Sequence, residues 1–545
     1  MFIGLGLSLT AIGRALDAYA IAGFSPKLVF DPKAGAYRTG GNASTFAGMI
    51  DYTGASNKTM VDSTGALKWA PHNLWPYSDY NALVSKIGLP TISPADGPEG
   101  SGTAYTVEDD NASGYEGITA SPATIAGAMY TFEFLIEKTF GAITAYPLYQ
   151  VDSGSGIIST IIDTTAGTLA AVVGAGTRTI ESFNSEFWAV KVVYTATTTT
   201  SSKRVDFFPA ASTDGIGISS AAVGSARVAA LRFYRSDLGG MVDNPDTGDS
   251  YVPTTSAARY LSRRNHHVYE GGEWVNAGML VEPAAATNLL LNSATLSTQN
   301  VTVTAVPTTL HFTGTGTVTL SGASTAGPLV GTGAGENNRV RLTFTPTAGT
   351  LTLTVSGTVT NAMLEVGSVP SSFVPTAGST ATRAAETVSF AAAKLPYSAT
   401  AMSIAMRGRM TYADLGVDDQ EILYLWSQDS SNLIRAAIAT NSGYLGRVKF
   451  RQTSAGTIDE ATEGAPGSYS PGINVPFSIA SSHGSTFING AVDGTALTAD
   501  LTPTSLPNLS ATNLSLAYSG GPMIIEQFTM FDTDLGDSGI AEASA

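Results

Sequence analysis

A phrase that occurs twice constrains the fold of this chain more than any other feature. Tyr251-Val252-Pro253-Thr254 returns as Phe373-Val374-Pro375-Thr376, and a phrase that begins Asn-Leu precedes each copy, at Asn73 and Asn288. The interval between the two phrases is much longer in the first copy than in the second. Unequal copies argue against a solenoid, because stacked repeats need a fixed period. The chain is therefore predicted to contain duplicated domains that have diverged.

The length and composition of the chain limit how many domains it can form and which partners they can bind. A chain of 545 residues exceeds what one hydrophobic core serves, so about three or four domains are expected, and 43% apolar residues can give each a core. The net charge of −16 argues against nucleic-acid binding, because phosphate backbones require clustered Lys and Arg, and it disfavours anionic membranes. Because cysteine is absent from the sequence, disulfides and a thiol nucleophile are excluded.

The first residues are apolar but too short a run for membrane insertion. Arg14 and Asp17 interrupt the run before it reaches the roughly 18 to 20 residues that a span requires, and no basic region precedes it as in a secretory signal. A short helix that begins at a Thr10 cap is expected here. It either packs on its own domain or anchors the chain in a larger assembly, through Leu5, Leu7, Leu9, Ile12, Leu16 and Tyr19.

Most of the chain has the pattern of β-strands. Tyr130–Leu135 and Trp188–Tyr194 alternate apolar and polar residues, and in Thr350–Val355 threonine alternates with leucine and valine, which predicts a sheet with one apolar face. Asn489-Gly490 is typical of a type I′ hairpin turn. The predicted fold class is all-β, with several antiparallel β-sandwiches and a short N-terminal helix.

Several segments together resemble tailed-bacteriophage virion appendage proteins, that is, fibres and spikes. The segments are 55–67, 278–290, Leu364–Gly367 and Thr382–Ala384. The resemblance implies carbohydrate-module-like sandwiches followed by a concanavalin/laminin-G-like jelly roll of the lectin type. The expected organisation is a virion-attachment segment 1–24, a module with connector 25–103, a sandwich 104–244, a linker 245–299, a smaller sandwich 300–366, a linker 367–386 and the jelly roll 387–545.

The sequence offers little support for an enzyme. Glycoside hydrolysis needs a pair of carboxyl groups, but Glu108–Asp110 and Asp418–Glu421 are predicted to lie in loops, where charge clusters are usually solvated. His266 and His267 would point to opposite faces of a strand, which disfavours a shared metal. No Gly-x-Ser-x-Gly elbow is visible. We therefore assign no catalytic residue, no metal ligand and no cofactor.

Sugar binding would use exposed aromatic rings stacked on pyranose faces. The candidate residues for glycan binding are Trp75, Tyr77, Tyr412, Tyr444 and Tyr518. The resulting hypothesis is a non-enzymatic virion protein, a homotrimeric fibre or spike assembled in the bacterial cytoplasm and exposed on the particle. Its partners would be other virion proteins, through the N-terminal segment, and host cell-surface polysaccharide. Two alternatives stay open: a head, collar or tail decoration or connector protein without sugar binding, and a polysaccharide depolymerase.

Overall fold

A computed structural model describes residues 18–54, 56–98, 100–141, 144–200 and 203–545. The chain divides into two compact units. Unit 1 comprises Met1–Ala66, Ser262–Pro375 and Thr380–Ala545, and unit 2 comprises Leu67–Leu261 with Thr376–Ser379. The predicted N-terminal helix, and with it Leu5, Leu7, Leu9, Ile12 and Leu16, lies outside the described residues.

Strands dominate the described ranges. The first half of the chain contains β1 (Leu28–Asp31), β2 (Ala36–Thr39), β3 (Asn42–Ala43), β4 (Asp51–Thr53), β5 (Thr59–Val61), β6 (Leu67–Trp69), β7 (His72–Asn73), β8 (Ser85–Ile87), β9 (Thr91–Gly97), β10 (Gly100–Asp109), β11 (Gly117–Ala120), β12 (Met129–Glu137), β13 (Tyr146–Asp152), β14 (Ile157–Asp163), β15 (Thr168–Val173), β16 (Thr177–Ser182), β17 (Phe187–Thr195), β18 (Val205–Ser212), β19 (Gly224–Arg235), β20 (Arg259–Tyr260), β21 (Arg263–Glu270) and β22 (Glu273–Val281).

The second half continues with β23 (Ala286–Asn288), β24 (Gln299–Val303), β25 (Thr308–Gly314), β26 (Thr317–Gly322), β27 (Leu329–Val330), β28 (Val340–Phe344), β29 (Gly349–Ser356), β30 (Val359–Val366), β31 (Ala381–Arg383), β32 (Thr387–Phe390), β33 (Ala401–Tyr412), β34 (Val417–Asp429), β35 (Asn432–Thr440), β36 (Val448–Ser454), β37 (Thr457–Thr462), β38 (Gly472–Gly484), β39 (Ile488–Val492), β40 (Thr495–Ala496), β41 (Leu514–Ser519) and β42 (Met523–Phe531). The described helices are α1 (Phe46–Met49), α2 (Gly536–Ala543) and single 3-10 turns at Glu336–Asn338 and Ala392–Lys394. The predicted all-β, multidomain antiparallel class is confirmed.

Unit 2 is a sandwich of two six-stranded antiparallel sheets. Their strand orders are β16-β17-β12-β19-β10-β9 and β15-β14-β13-β18-β11-β8. Alternation along β12 turns Tyr130, Phe132, Phe134 and Ile136 into the core. There the Phe134 ring meets the Phe207 ring of the opposite sheet edge-on, with centroids 5.6 Å apart. Aromatic packing between the two sheets therefore holds the sandwich together.

Unit 1 contains the smaller sandwich that the sequence predicted after residue 300. One sheet has the order β24-β29-β26-β27, and the other has the order β28-β25-β30. Along β29, Leu351 and Leu353 are buried, whereas Thr350 and Thr354 are exposed. The predicted alternation of an apolar and a hydroxyl-bearing face is thus confirmed.

Unit 1 also contains the C-terminal sandwich. A seven-stranded sheet has the order β37-β36-β35-β34-β41-β32-β4, and a larger sheet runs β3-β2-β1-β42-β33-β38-β39-β40 with the β21–β22 hairpin paired to β42. The sequence placed β1 to β4 in a separate N-terminal module, but here they extend the two C-terminal sheets, since Leu28 pairs with Met530 and Tyr52 pairs with Val388. The predicted linker 245–299 likewise contributes an ordered hairpin, β21–β22.

The hairpin turn predicted at Asn489-Gly490 is wrong. Both residues lie inside β39, and the turn comes at Asp493-Gly494, where both residues have positive φ (46° and 80°). Gly490 serves packing instead, because a Cβ there would lie 2.0 Å from Cδ2 of the Phe450 ring. Glycine stands at position 490 because the Phe450 ring leaves no room for a side chain, and not because the chain turns there.

Two asparagines explain the repeated phrases. In unit 2, the Asn73 side chain donates to Leu231 O (3.0 Å) and Val252 O (2.9 Å), and it accepts from Trp75 N (2.9 Å) and Phe233 N (3.0 Å). All four hydrogen-bonding positions of the amide are thereby used. The side chain ties the start of the first module to its last long strand and to the Val-Pro-Thr phrase.

Asn288 repeats this arrangement in unit 1. Its Nδ2 donates to Ala362 O (3.0 Å) and Val374 O (2.8 Å), while Oδ1 accepts from Leu290 N (3.1 Å) and Leu364 N (3.2 Å). We call each arrangement an asparagine clamp. The clamp gives the duplicated phrases a common structural role, which is to close a sandwich module on itself.

Candidate functional site

The structure corrects two of the aromatic residues that the sequence expected to be exposed. Trp75 is 0% exposed and stacks on Phe132 at a centroid distance of 5.3 Å. Tyr412 is also buried, and its hydroxyl donates to Tyr469 O at 2.7 Å. Both rings fill cores because they stand on the inward side of their modules. Neither ring presents a face to solvent.

The other three aromatic candidates lie closer to solvent. Tyr77 is half-buried against the core of unit 2, and its backbone N–H donates to Thr255 O at 2.6 Å. Tyr444 is 49% exposed, with the Arg447 guanidinium 4.9 Å from its ring centre. Tyr518 is 53% exposed on β41. These rings belong to separate elements, and none of them lines the cleft of unit 2 that is described next.

An open cleft lies at one end of the sandwich in unit 2. Its walls are the β13–β14 turn (Ser153 and 155–157), the β15–β16 connection (173–177), the end of β17 (193–195 with Thr197) and Met129. We call it the end cleft. Its volume is about 730 Å³, within the range usual for small-molecule sites.

Arg178 fixes one wall of the end cleft. Its guanidinium donates to the carbonyls of Val173 (3.0 Å), Gly174 (2.8 Å) and Gly176 (3.1 Å), and its Nε donates to Thr160 Oγ1 at 2.7 Å. A planar guanidinium that serves several carbonyls holds a loop in one shape. The glycine-rich connection is therefore preorganised although it has no secondary structure of its own.

Tyr194 provides an unsatisfied polar atom at the end cleft. The residue is 4% exposed and lines the cleft, yet its hydroxyl has no hydrogen-bond partner among the residues that the structure describes. Burial raises the pKa of Tyr194, and Tyr130 and Asp152 add to that effect, so the hydroxyl keeps its proton. A buried hydroxyl without a partner costs free energy.

The lining of the end cleft is uncharged. It combines the hydroxyls of Ser153, Ser155, Thr177, Thr195 and Thr197 with apolar groups. The apolar part is Met129, Ile157, Val173 and Val193. A lining of this kind suits a neutral ligand that carries both hydroxyls and C–H faces. Sequence reasoning missed it, because serine, threonine and glycine in turns form no motif; the run Gly174-Ala175-Gly176 was the one local signal.

Unit 1 has a buried ionic network near the Asn288 clamp. Arg263 contacts Glu282 (2.6 Å) and Glu386, Arg383 contacts Glu282 (2.9 Å), and Lys58 lies 3.7 Å from Glu386. Burial alone would raise the pKa of Glu282, but the charges of Arg263 and Arg383 lower it to about 2. Burial lowers the pKa of Lys58 to about 7. Since every one of these side chains is buried, the network is a structural device.

The described residues contain neither a metal-binding cluster nor a membrane-spanning helix. Across the residues that the structure describes, no group of three or more His, Asp and Glu side chains could hold a metal ion. Within the same ranges, none of the helices has the length and hydropathy that crossing a bilayer requires. Of the predicted anchor residues, only Tyr19 falls in these ranges, where its hydroxyl donates to Asp31 Oδ2 at 2.9 Å.

Comparison with known proteins gives distant structural matches only. No protein-family model matches the sequence, and no curated protein matches it. Among solved structures, the receptor binding domain of botulinum neurotoxin mosaic serotype C/D is 11% identical with a TM-score of 0.24, over 29% of this chain and 38% of that chain. The botulinum neurotoxin serotype D binding domain is 10% identical with a TM-score of 0.24, over 29% and 39%.

A third match is the binding domain of botulinum neurotoxin DC in complex with SialylT, at 12% identity and a TM-score of 0.23, over 29% of this chain and 38% of that chain. The aligned part thus spans less than two thirds of the length of each of these three domains. Similarity of this extent supports no inference about activity or ligand.

Proposed function

We propose that this protein is a non-enzymatic carbohydrate-binding protein, and that the end cleft of unit 2 is its glycan site. The observation that carries the proposal is the composition of this cleft, whose lining combines neutral hydroxyls with apolar side chains and holds no charged group. Sugars offer the matching chemistry, because each ring has hydroxyls at its edge and C–H groups on its faces. The uncharged lining favours neutral glycans over acidic ones.

The biological setting that we propose is a fibre or spike of a tailed-phage virion that attaches to host cell-surface polysaccharide. The resemblance of segments 55–67, 278–290, Leu364–Gly367 and Thr382–Ala384 to virion appendage proteins supports this setting. A trimer would multiply a weak single-site affinity, since linked sites bind with a high effective concentration. The N-terminal segment would join the protein to other virion proteins.

The test fills the cleft without disturbing the fold. Gly156 lies in the β13–β14 turn with nothing within 4 Å of an added Cβ, so Gly156→Trp should fold and block the cleft. Gly217, in another exposed loop of unit 2, has only Asp214 Oδ2 near it at 3.9 Å, so Gly217→Trp is the matched control. Binding of the full-length protein to a neutral-glycan array and to immobilised host polysaccharide is measured for both variants.

We expect the wild type and Gly217→Trp to bind a common set of glycans and Gly156→Trp to lose at least tenfold in affinity, about 1.4 kcal/mol. If a folded Gly156→Trp variant keeps its affinity for glycans, the glycan site is not the end cleft. Absence of binding by the wild type to any glycan on the array or from the host would refute the carbohydrate function. Reducing ends released from the polysaccharide would refute the non-enzymatic part.

A further inference from the structure

Unit 1 contains a second cavity that the proposed function does not use. Its volume is about 320 Å³, and it is lined by 282–286, 365–369, Ser371, Arg383, Ala413, Leu415, Glu421 and 520–522. We call it the Glu421 pocket. Most of its wall is apolar or small, with Pro283, Val369 and Leu415 as the larger apolar contributors.

Three of the four charged side chains in the wall are already satisfied. Glu282 and Arg383 form an ion pair at 2.9 Å, and Glu282 also contacts Arg263. Glu365 accepts from Ser371 N (2.7 Å) and Ser371 Oγ (2.6 Å). These groups have little capacity left for a ligand.

His311 supplies the third donor to Glu365. Arg339 Nη1 lies 3.0 Å from Nδ1 of His311 and can only donate, so the proton of the neutral ring is on Nε2, 3.1 Å from Glu365 Oε1. Burial lowers the pKa of His311, which keeps the ring neutral. Glu365 therefore needs nothing from the pocket.

Glu421 differs from its neighbours. It is 2% exposed, and within the described part of the chain both of its carboxyl oxygens share a single donor, Gly521 N, at 3.0 and 3.1 Å. A carboxylate accepts about four hydrogen bonds. Burial raises the pKa of Glu421 to about 7, against a smaller opposing effect of the Gly521 N–H. The sequence had placed this residue in a solvated loop, whereas it lies in β34 at the wall of the cavity.

Glycine fixes the backbone beside Glu421. Gly520 has φ 112°, and a Cβ on it would lie 2.0 Å from Glu421 Oε2. Only glycine lets the backbone approach the carboxyl group this closely, and Gly520 lines the pocket together with Glu421. Burial and, after it, the charge of Glu421 raise the pKa of Tyr412, a buried hydroxyl that supplies no positive charge.

We propose that the Glu421 pocket binds a protonated primary amine on a small uncharged body, such as an alkylamine or an amino sugar, with the ammonium group on Glu421. The ammonium N–H groups supply the donors that the chain does not provide. The apolar wall contacts the uncharged body of the ligand. This site is separate from the end cleft and does not depend on the proposed glycan function.

The experiment titrates the full-length protein at pH 8 with n-butylamine and with 1-butanol, and at pH 7 with glucosamine and N-acetylglucosamine, by calorimetry. Each pair differs in whether it carries a cationic nitrogen, and the two pairs separate an alkylamine from an amino sugar as the source. We expect at least one amine to bind and its neutral partner not to bind. Between pH 8 and pH 6, the affinity for n-butylamine should fall about tenfold as Glu421 takes up its proton.

Glu421→Gln tests the residue itself. Glutamine keeps the shape and can accept the Gly521 N–H, so the variant should fold and lose amine binding. Glu273→Gln, an exposed position on β22, is the control and should bind as the wild type does. Leu415→Trp, placed at a side chain that is 40% exposed on the rim, gives a second variant that fills the pocket. Equal binding of amine and alcohol, or amine binding retained by Glu421→Gln or by Leu415→Trp, would overturn the proposal.

Discussion

The two modules that an asparagine clamp closes share this clamp, but they differ in the arginine that follows the Val-Pro-Thr phrase. Asn73 in unit 2 and Asn288 in unit 1 make the same four hydrogen bonds to backbone groups. An arginine follows each Val-Pro-Thr phrase, but Arg259 is exposed and donates to Pro253 O at 3.1 Å, whereas Arg383 is buried in the ionic network.

The difference shows which kind of interaction is retained when two copies of a module diverge in sequence. The clamp uses backbone partners, so it tolerates divergence of every surrounding side chain. The ionic network needs Lys58, Arg263, Glu282 and Glu386, which come from distant parts of the chain. In the module where those partners are lacking, the arginine has become a surface residue.

The largest expected effect comes from breaking the ionic network. Glu282→Gln leaves Arg263 and Arg383 buried without their shared carboxylate, so the free energy of unfolding of unit 1 should fall by about 3 to 5 kcal/mol. This loss is measured on the full-length protein by chemical denaturation, with hydrogen exchange at unit 1 residues as the signal. A loss below about 1 kcal/mol would mean that the network contributes little.

Removing a clamp should have the next largest effect. Asn73→Ala and Asn288→Ala each leave two buried carbonyls and two N–H groups without partners, which should cost about 3 to 4 kcal/mol. Hydrogen exchange should show lost protection near Val252 in the first variant and near Val374 in the second. Equal loss at both sites in both variants would contradict two separate clamps.

Glu421 should also give unit 1 a pH-dependent contribution to stability. The folded-state pKa of Glu421 is raised from its ordinary 4.5 to about 7, so between these values the folded state holds a proton that the unfolded state has lost. The contribution of Glu421 to stability is therefore full below pH 4.5 and is lost as the pH rises to 7, by about 3 kcal/mol.

The measurement compares Glu421→Gln with the wild type at pH 5 and pH 8 by urea denaturation. The difference in free energy of unfolding between variant and wild type should move in favour of the variant as the pH rises. Glu273→Gln should show no such change. A difference that is independent of pH would show that Glu421 titrates normally.

The smallest expected effect on stability is that of replacing the exposed arginine of unit 2. Arg259→Ala removes an exposed side chain with one hydrogen bond to a carbonyl, so stability should change by less than about 0.5 kcal/mol. Arg383→Ala, its matched counterpart, should destabilise the protein by several kcal/mol because it strips a buried carboxylate of a partner. Similar thermal melting of the two variants would contradict the distinction between the two arginines.

Sequence reasoning succeeded where the signal is local. The alternation in β12 and β29 predicted strands with the correct inward faces, because side chains on a strand point to alternate sides. It failed at Asn489-Gly490 and Trp75, since a turn dipeptide inside a strand and a tryptophan between strands depend on the packing of Phe450 and Phe132. The end cleft, too, could not be predicted, because serine, threonine and glycine line it without a motif.

The sequence by itself determined the β-rich class and contains the repeated Asn-Leu and Val-Pro-Thr phrases, because strand periodicity and a repeated phrase are properties of neighbouring residues. Only the tertiary structure decided which polar groups are buried with fewer hydrogen-bond partners than they can use. Tyr194 and Glu421 acquire that condition because strands from different sheets bury them. Burial depends on contacts between residues far apart in the chain, and it is burial that turns an ordinary hydroxyl or carboxyl group into a candidate binding group.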